Sequence, residues 1–304
     1  SPAMTSSMRA SIQMPAVASA HAAPRARTAA RMPVARLASK LSISGPSFAR
    51  ATTARVVAAR NPAGRVAFIV RAGWGDPVDF SSATVKSSVK LTDDLYSITM
   101  DAGEIADGFT APGQYVQLKV GDSKPAFIAI ASAPAKGAPL EFLIKTGDGT
   151  AGLLCGLAPG AECDISTAQG KGFPMANASP DACPTLLLVA TGSGISPIKS
   201  LIESGATKGY GDVKLYYGAR DFGSMAFKDK FDEWAKMGVQ VIPVYSQPKD
   251  GFEGNKGYVQ DFALDGAAGA ETGAVLCGQK EMTTAIIEGL EALGVARENI
   301  LMNF

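Results

Sequence analysis

Hydrophobic and polar positions change their rhythm once along this chain, near Pro180. Before it, short segments such as SATVKSSVKL, LYSITMDA and GQYVQLKV alternate apolar and polar side chains, with turn residues between them. Such alternation is typical of half-buried β-strands. About six segments of this kind and a single helix, at GTAGLLCGLAPG, predict a small antiparallel β-barrel or sandwich.

After Pro180, apolar strands alternate with amphipathic helices. The run Leu186–Ala190 has no polar residue, and Ile198, Leu201 and Ile202 follow it at helical spacing. Four further strands are predicted at VKLYYGA, VQVIPVYS, GAVLCGQ and ENILMNF, with helical segments between them. This order predicts a doubly wound α/β sheet of parallel strands with right-handed connections.

The segment Thr191–Ser196 joins the first of these strands to its helix. Gly192 and Gly194 allow close approach of the backbone to a neighbour, and Pro197 suits the first turn of a helix. The amides at a helix start favour an anion, so the turn predicts a ligand that carries phosphate. A tight turn without a ligand is the alternative. Since the turn lies at the carboxyl edge of the sheet, together with CGQKEM, we favour a dinucleotide site.

Composition separates residues 1–72 from the rest of the chain. They contain eleven arginines and lysines, no aspartate or glutamate, and many alanines and serines. This is typical of an organelle transit peptide that lacks stable structure, here of the green-algal chloroplast type. We expect Ser1–Ala3 to be a cloning remnant, Met4 the natural start, and processing to follow Ala72. A basic arm for nucleic acid or membrane is the alternative.

The remaining 232 residues carry 18 basic and 28 acidic side chains, a net charge of −10, which disfavours nucleic acid as a partner. No apolar run approaches the roughly 20 residues of a transmembrane helix. The four cysteines show no CxxC spacing, so we expect no metal site. The only histidine is His21, so histidine-dependent catalysis is excluded from the mature chain. Chemistry carried by a bound cofactor fits these limits.

Several motifs resemble the ferredoxin–NADP reductase superfamily. VATGSGISPIKS is similar to its nucleotide-binding turn, CGQKEM to its CGxxxM motif and AQGKGF to a turn of electron-transfer subunits. The chain as a whole resembles the plant group of fruit protein pKIWI502. This resemblance implies a flavin-binding antiparallel β-barrel over residues 73–179 and an NAD(P)-binding Rossmann-like domain over residues 180–304.

The resemblance also implies roles for individual residues. Cys277 is expected at the catalytic position, where nicotinamide meets the flavin. Arg220 is expected near the adenosine ribose, where it favours NADP, whereas Asp221 would favour NAD; both nucleotides stay open. The residues implied in binding the nucleotide are Thr191, Gly192, Gly194, Ile195, Pro197, Arg220, Gly278 and Met282. Those implied in binding the flavin are Ile130, Ala131, Ser132, Thr150 and Phe304.

The barrel departs from the family pattern at its flavin motif. Ala126, Ile128 and Ala129 occupy the positions of the family's arginine, tyrosine and serine, while Ile130–Ser132 match the turn that follows. An arginine–phosphate contact contributes about 1.5–3 kcal/mol, so its loss weakens FAD binding. Lys124 is close enough in sequence to replace the charge. FAD, FMN or no flavin therefore remain open.

Two hypotheses follow from these features. The first is an NAD(P)H-dependent flavin oxidoreductase in the plastid stroma, which passes electrons through FAD to a separate protein or small molecule. The second is a catalytically weakened module of the same fold that binds a nucleotide or docks in a plastid complex.

Overall fold

A computed structural model describes residues 78–303 and two short strands before them. These strands, β1 (Ala58–Arg60) and β2 (Val66–Phe68), pair antiparallel within residues 1–70, which form a unit separate from residues 71–304. They lie in the segment expected to be a disordered transit peptide. The rest of that segment, and Phe304, lie outside the described residues.

Six antiparallel strands form the first domain of the larger unit. Their order in the sheet is β6-β5-β8-β3-β4-β7. A bridge between Ile130 and Phe142 joins the two ends, so the sheet is nearly closed. The strands are β3 (Phe80–Lys90), β4 (Leu95–Asp101), β5 (Tyr115–Lys119), β6 (Ala126–Ala129), β7 (Leu140–Lys145) and β8 (Glu162–Ser166), and α1 (Thr150–Cys155) follows β7.

The alternation of apolar and polar residues along the strands explains why the sheet closes into a barrel. Inward positions such as Met100, Val116 and Leu118 are fully buried, while their neighbours along each strand are more exposed. Burial of one face of each strand supplies the driving force for closure, as the alternation predicted.

Six parallel strands form the second sheet, in the order β12-β11-β10-β9-β13-β14. They are β9 (Thr185–Thr191), β10 (Asp212–Ala219), β11 (Val239–Tyr245), β12 (Asn255–Lys256), β13 (Thr272–Cys277) and β14 (Ile300–Leu301). The helices are α2 (Ile195–Glu203), α3 (Phe231–Lys236), α4 (Gln260–Ala263) and α5 (Lys280–Ala292). The two-residue strand β12 was not predicted, because it is too short to leave a pattern.

The predicted fold class, an antiparallel barrel followed by a doubly wound parallel sheet, is confirmed. The domain boundary near Pro180 stays a prediction, and the segment that precedes it packs on the second domain. Phe173 and Ala178 precede it but are buried in the core around β9, since the connecting segment runs against β13. In the described part of the chain, no helix is both long and apolar enough to cross a bilayer.

Candidate functional site

A cleft of about 830 Å³ lies between the barrel and the carboxyl edge of the parallel sheet. Its barrel side comprises residues of the β3–β4 turn, β6, β7 and α1. Its other side comprises the turns after β9, β10 and β13. The strand order reverses between β9 and β13, so the cleft lies at the switch point where ligands of such sheets bind.

The turn after β9 presents its backbone to this cleft. Gly192 has a φ of +54°, and a Cβ placed there would meet no atom within 4 Å. Glycine is therefore needed for the backbone angle, and the space beside it is open to a ligand. The amides of this turn precede the intrahelical bonds of α2, so they suit an anion such as a pyrophosphate.

Gly194 is a glycine for a different reason. A Cβ at this position would lie 2.3 Å from the carbonyl oxygen of Cys277 and 3.0 Å from the Cα of Gly278. The turn after β9 and the turn after β13 are thus in direct backbone contact. Thr191 adds a second link, because its Oγ1 accepts a hydrogen bond of 3.2 Å from the amide of Gln279. The two predicted motifs form one surface.

Cys277 ends β13 and is partly exposed in the cleft. Burial raises the pKa of its thiol to about 12. The side chain is therefore a neutral thiol at physiological pH, which excludes a thiolate nucleophile at this position. A neutral thiol still serves as a small wall residue and a weak hydrogen-bond donor beside a bound ring.

Arg220 follows β10 and lies on the cleft rim, with its side chain 61% exposed. The neighbouring Asp221 is not a wall residue of the cleft. Its Oδ1 accepts hydrogen bonds from the amide and the hydroxyl of Ser224, at 2.9 and 3.0 Å, which lower its pKa. The loop thus turns the guanidinium rather than the carboxylate toward the cleft.

The barrel wall fits a planar apolar ring. Phe127, Ile128 and Ala129 of β6 line the cleft, and Phe127 is 61% exposed. Ile128 and Ala129, where the family has tyrosine and serine, therefore line the site with apolar side chains, whereas Ala126, at the arginine position, does not line it. Lys145 is the cation on the described barrel wall of the cleft, rather than the expected Lys124.

The structure corrects the expected contacts of the turn after β6. Ile130 and Ala131 are fully buried, and their amides donate to the carbonyls of Gln114 and Glu141. Ser132 accepts a hydrogen bond of 3.1 Å from the amide of Glu141. These contacts close the barrel, and none of the three residues lines the cleft.

Thr150 and Ile195 have structural partners instead of the expected ligand contacts. The hydroxyl of Thr150 donates to the carbonyl of Lys124. Thr150 is the first residue of α1, so Gly149 occupies the N-cap position of that helix. Ile195 is fully buried in the core, and its amide donates to the Gly192 carbonyl. Neither side chain lines the cleft. Phe304 lies outside the described residues, so its expected contact with a flavin stays a prediction.

The predicted residues that do meet at the cleft are Thr191, Gly192, Gly194, Pro197, Arg220, Cys277, Gly278 and Met282. Sequence reasoning missed Phe127, Tyr258, Asp94 and Lys145, which also line it. Phe127 and Tyr258 are 61% and 65% exposed. An aromatic residue at an outward strand position was a usable signal for Phe127, whereas Asp94 reaches the site from a distant turn.

Comparisons with known proteins agree with this geometry. Residues 188–288 match the family of oxidoreductase NAD-binding domains. Over 226 residues the chain is 37% identical to fruit protein pKIWI502 of Actinidia deliciosa, across 68% of this chain and 71% of that protein. The chain belongs to the ferredoxin–NADP reductase-like superfamily. The resemblance seen in its motifs is confirmed, including its closeness to the pKIWI502 group.

The chain is also similar to a protein that is named as an electron-transfer subunit. The electron transfer subunit of dihydroorotate dehydrogenase B from Bacillus velezensis is 30% identical over 184 residues, 59% of this chain and 67% of that subunit. This similarity supports a family of NAD-binding oxidoreductases that includes electron-transfer proteins.

Solved structures of the superfamily show the same fold. The cytochrome P450 reductase GcoB of Amycolatopsis superposes with a TM-score of 0.64 at 23% identity, over 78% of this chain and 70% of that one. A ferredoxin NADP+ reductase from Neisseria gonorrhoeae, solved with FAD and NADP, gives 0.61 at 17% identity, over 71% and 92%. At these identities the likeness shows the two-domain architecture.

Proposed function

We propose that this protein is a flavin-dependent NAD(P)H oxidoreductase that passes electrons from a nicotinamide nucleotide to a separate acceptor. One observation carries the proposal: a single cleft has the glycine turn of a nucleotide site on one wall and an apolar, ring-sized barrel surface on the other. This arrangement would allow a nicotinamide and a flavin ring to meet without a histidine. A bound flavin would supply the redox chemistry.

In this proposal the residues of the chain bind and orient the two cofactors. The turn at Gly192 would hold the pyrophosphate through backbone amides. The bond between Thr191 and Gln279 keeps the two turns in register, so the nicotinamide would be placed beside Cys277. Ile128 and Ala129 would cover the flavin ring and exclude water from it.

Arg220 supports NADPH as the nucleotide. It lies on the cleft rim, and its planar guanidinium suits a 2′-phosphate. A carboxylate that selects NADH by accepting from a free ribose hydroxyl needs a free, inward-facing position. Asp221 is instead held at Ser224, outside the cleft.

We place the reaction in the plastid stroma and the acceptor on a separate molecule. The basic, serine-rich composition of residues 1–72 supports the first part. The electron-transfer name of the dihydroorotate dehydrogenase relative supports the second. The net charge of −10 on the remaining residues disfavours a strongly acidic protein as the acceptor, since like charges repel on approach.

An absorbance spectrum tests the proposal. The purified full chain is incubated with FAD, free flavin is removed, and NADPH is then added without oxygen. We expect flavin bands near one equivalent that bleach with NADPH. A protein that is folded by circular dichroism but retains neither FAD nor FMN at micromolar concentration would contradict the proposal.

The apolar flavin motif favours one alternative, a nucleotide-binding or docking module of the same fold. Ala126, Ile128 and Ala129 replace the groups that bind flavin in the family. This function predicts NADP+ binding by a protein that remains free of flavin, so the same preparation distinguishes the two.

A further inference from the structure

Three charged side chains from separate parts of the chain meet at the mouth of the cleft. Asp94 lies in the turn between β3 and β4, Lys145 ends β7, and Arg220 follows β10. The Oδ2 atom of Asp94 lies 3.3 Å from Lys145 Nζ and 3.5 Å from Arg220 Nη2. All three line the cleft. A barrel carboxylate thus neutralises the cation of the nucleotide domain.

Asp94 is the fixed member of this group. The hydroxyl of Thr92 donates to its Oδ1 at 3.1 Å, and the amide of Thr146 donates to its carbonyl at 2.7 Å. Its side chain is 28% exposed, against 61% for Arg220. Asp94 is therefore held in a tight turn, whereas the guanidinium is the more exposed partner of the ion pair.

A phosphate at Arg220 would have to share the guanidinium with Asp94. A bidentate arginine–phosphate contact uses two N–H groups of the planar fork. The carboxylate sits beside that fork and carries the same sign of charge as the phosphate, so it opposes binding. A free ribose hydroxyl meets no such repulsion.

We propose that Asp94 is a specificity-determining residue that lowers the preference of this site for a nucleotide with a 2′-phosphate. It does so by competing for Arg220 across the cleft. This inference rests on the proposed nucleotide site. It assigns to the barrel a direct influence on nucleotide choice that is independent of flavin.

Isothermal titration calorimetry of the full chain, which measures the Kd for NADP+ and for NAD+, tests the inference. Because an exposed ion pair contributes up to about 1 kcal/mol, we expect Asp94→Asn to lower the Kd for NADP+ roughly three- to fivefold. The Kd for NAD+ should change less than about twofold, since the repelled group is absent from it. In an Arg220→Ala background the effect of Asp94→Asn on NADP+ should become clearly smaller, because no guanidinium is left to compete for.

Asp101→Asn is the matched control. Asp101 pairs with Lys86 at 3.1 Å on the barrel surface, both side chains are about half exposed, and neither lines the cleft. It should leave both affinities unchanged. Asparagine keeps an acceptor for Thr92; if it nevertheless unfolds the turn, Asp94→Ser provides the same test with a turn-forming residue.

An unchanged or raised Kd for NADP+ in folded Asp94→Asn protein would overturn the inference, and a raised value would show that Asp94 instead orients Arg220. Equal tightening of NAD+ would also overturn it, since the effect would then be general electrostatics. Failure of the unsubstituted chain to bind either nucleotide would overturn the nucleotide site itself, a result distinct from both.

Discussion

Single glycines show most clearly how this chain forms its nucleotide turn. Gly192 and Gly194 are two residues apart, yet the first is required by a positive φ and the second by a neighbouring carbonyl. The first leaves space above the turn, and the second joins the turn to β13. The sequence shows only that both residues are glycines. The structure shows that Gly192 faces the space for a ligand and that Gly194 packs against β13.

The two alanine variants should therefore behave differently. Gly192→Ala forces an alanine into left-handed geometry at about 1 kcal/mol and adds a methyl group where a phosphate would approach, so the Kd for NADP+ should rise roughly tenfold. Gly194→Ala must separate the two turns, which should lower the free energy of unfolding by about 2–3 kcal/mol. Urea denaturation and nucleotide titration measure the two effects.

The contrast between the variants is itself the control. Equal loss of stability in both would mean that the turn is not held by the backbone contact with Cys277. Tight NADP+ binding by Gly192→Ala protein would mean that the ligand lies elsewhere.

At the level of elements, a buried ion cluster joins helix α2 to barrel strand β7. Lys199 of α2 is 4% exposed, and its Nζ lies 2.7 Å from Glu141 Oε2 and 2.6 Å from Glu203 Oε2. Ser97 donates to Glu141, and Trp234 donates to Glu203. The helix that begins at the nucleotide turn is thereby fixed to the barrel wall.

Removing the lysine alone should be costly. Lys199→Met leaves two carboxylates facing each other without a cation, and we expect a loss of about 3–5 kcal/mol in the free energy of unfolding. Adding Glu141→Gln and Glu203→Gln should recover most of it, because amides need no counter-charge and keep the bonds from Ser97 and Trp234. Urea unfolding compares the single and triple variants; equal stability would contradict the role of charge here.

Across the whole molecule, thiol burial links stability to pH. Burial raises the pKa of Cys277 to about 12 and, as the largest cause, that of Cys163 to about 11, from an ordinary value near 9. Between pH 9 and 12 the unfolded chain therefore binds fewer protons than the folded one. Stability from these thiols is complete below about pH 9 and decreases as the pH rises toward these values.

This pH dependence can be measured with a variant that lacks both thiols. Raising the pH from 7.5 to 10 should lower the free energy of unfolding of the natural sequence by about 2–3 kcal/mol more than that of Cys163→Ala/Cys277→Ala protein. Lysines and tyrosines also titrate in this range, so the difference between the two proteins is the relevant quantity. An equal slope for both would mean that burial does not raise the pKa of these thiols.

The two domains are also coupled through apolar packing. Leu95 and Leu143 of the barrel are buried in the same cluster as the residues of β9 and α2. The alternating pattern predicted that these positions point inward or outward from a strand, but not which of them would cover a second domain. Such contacts depend on how two complete domains meet, and no local pattern contains that information.

The sequence by itself determined the fold class, the order of the two domains and the position of the glycine turn. Apolar periodicity and glycine placement express local preferences, and local preferences suffice for strands, helices and turns. Only the tertiary structure decided which residues meet at the cleft. Ile130 and Ala131 became core, whereas Asp94 reached Arg220 from a distant turn, because barrel closure and domain contact join segments far apart in the chain.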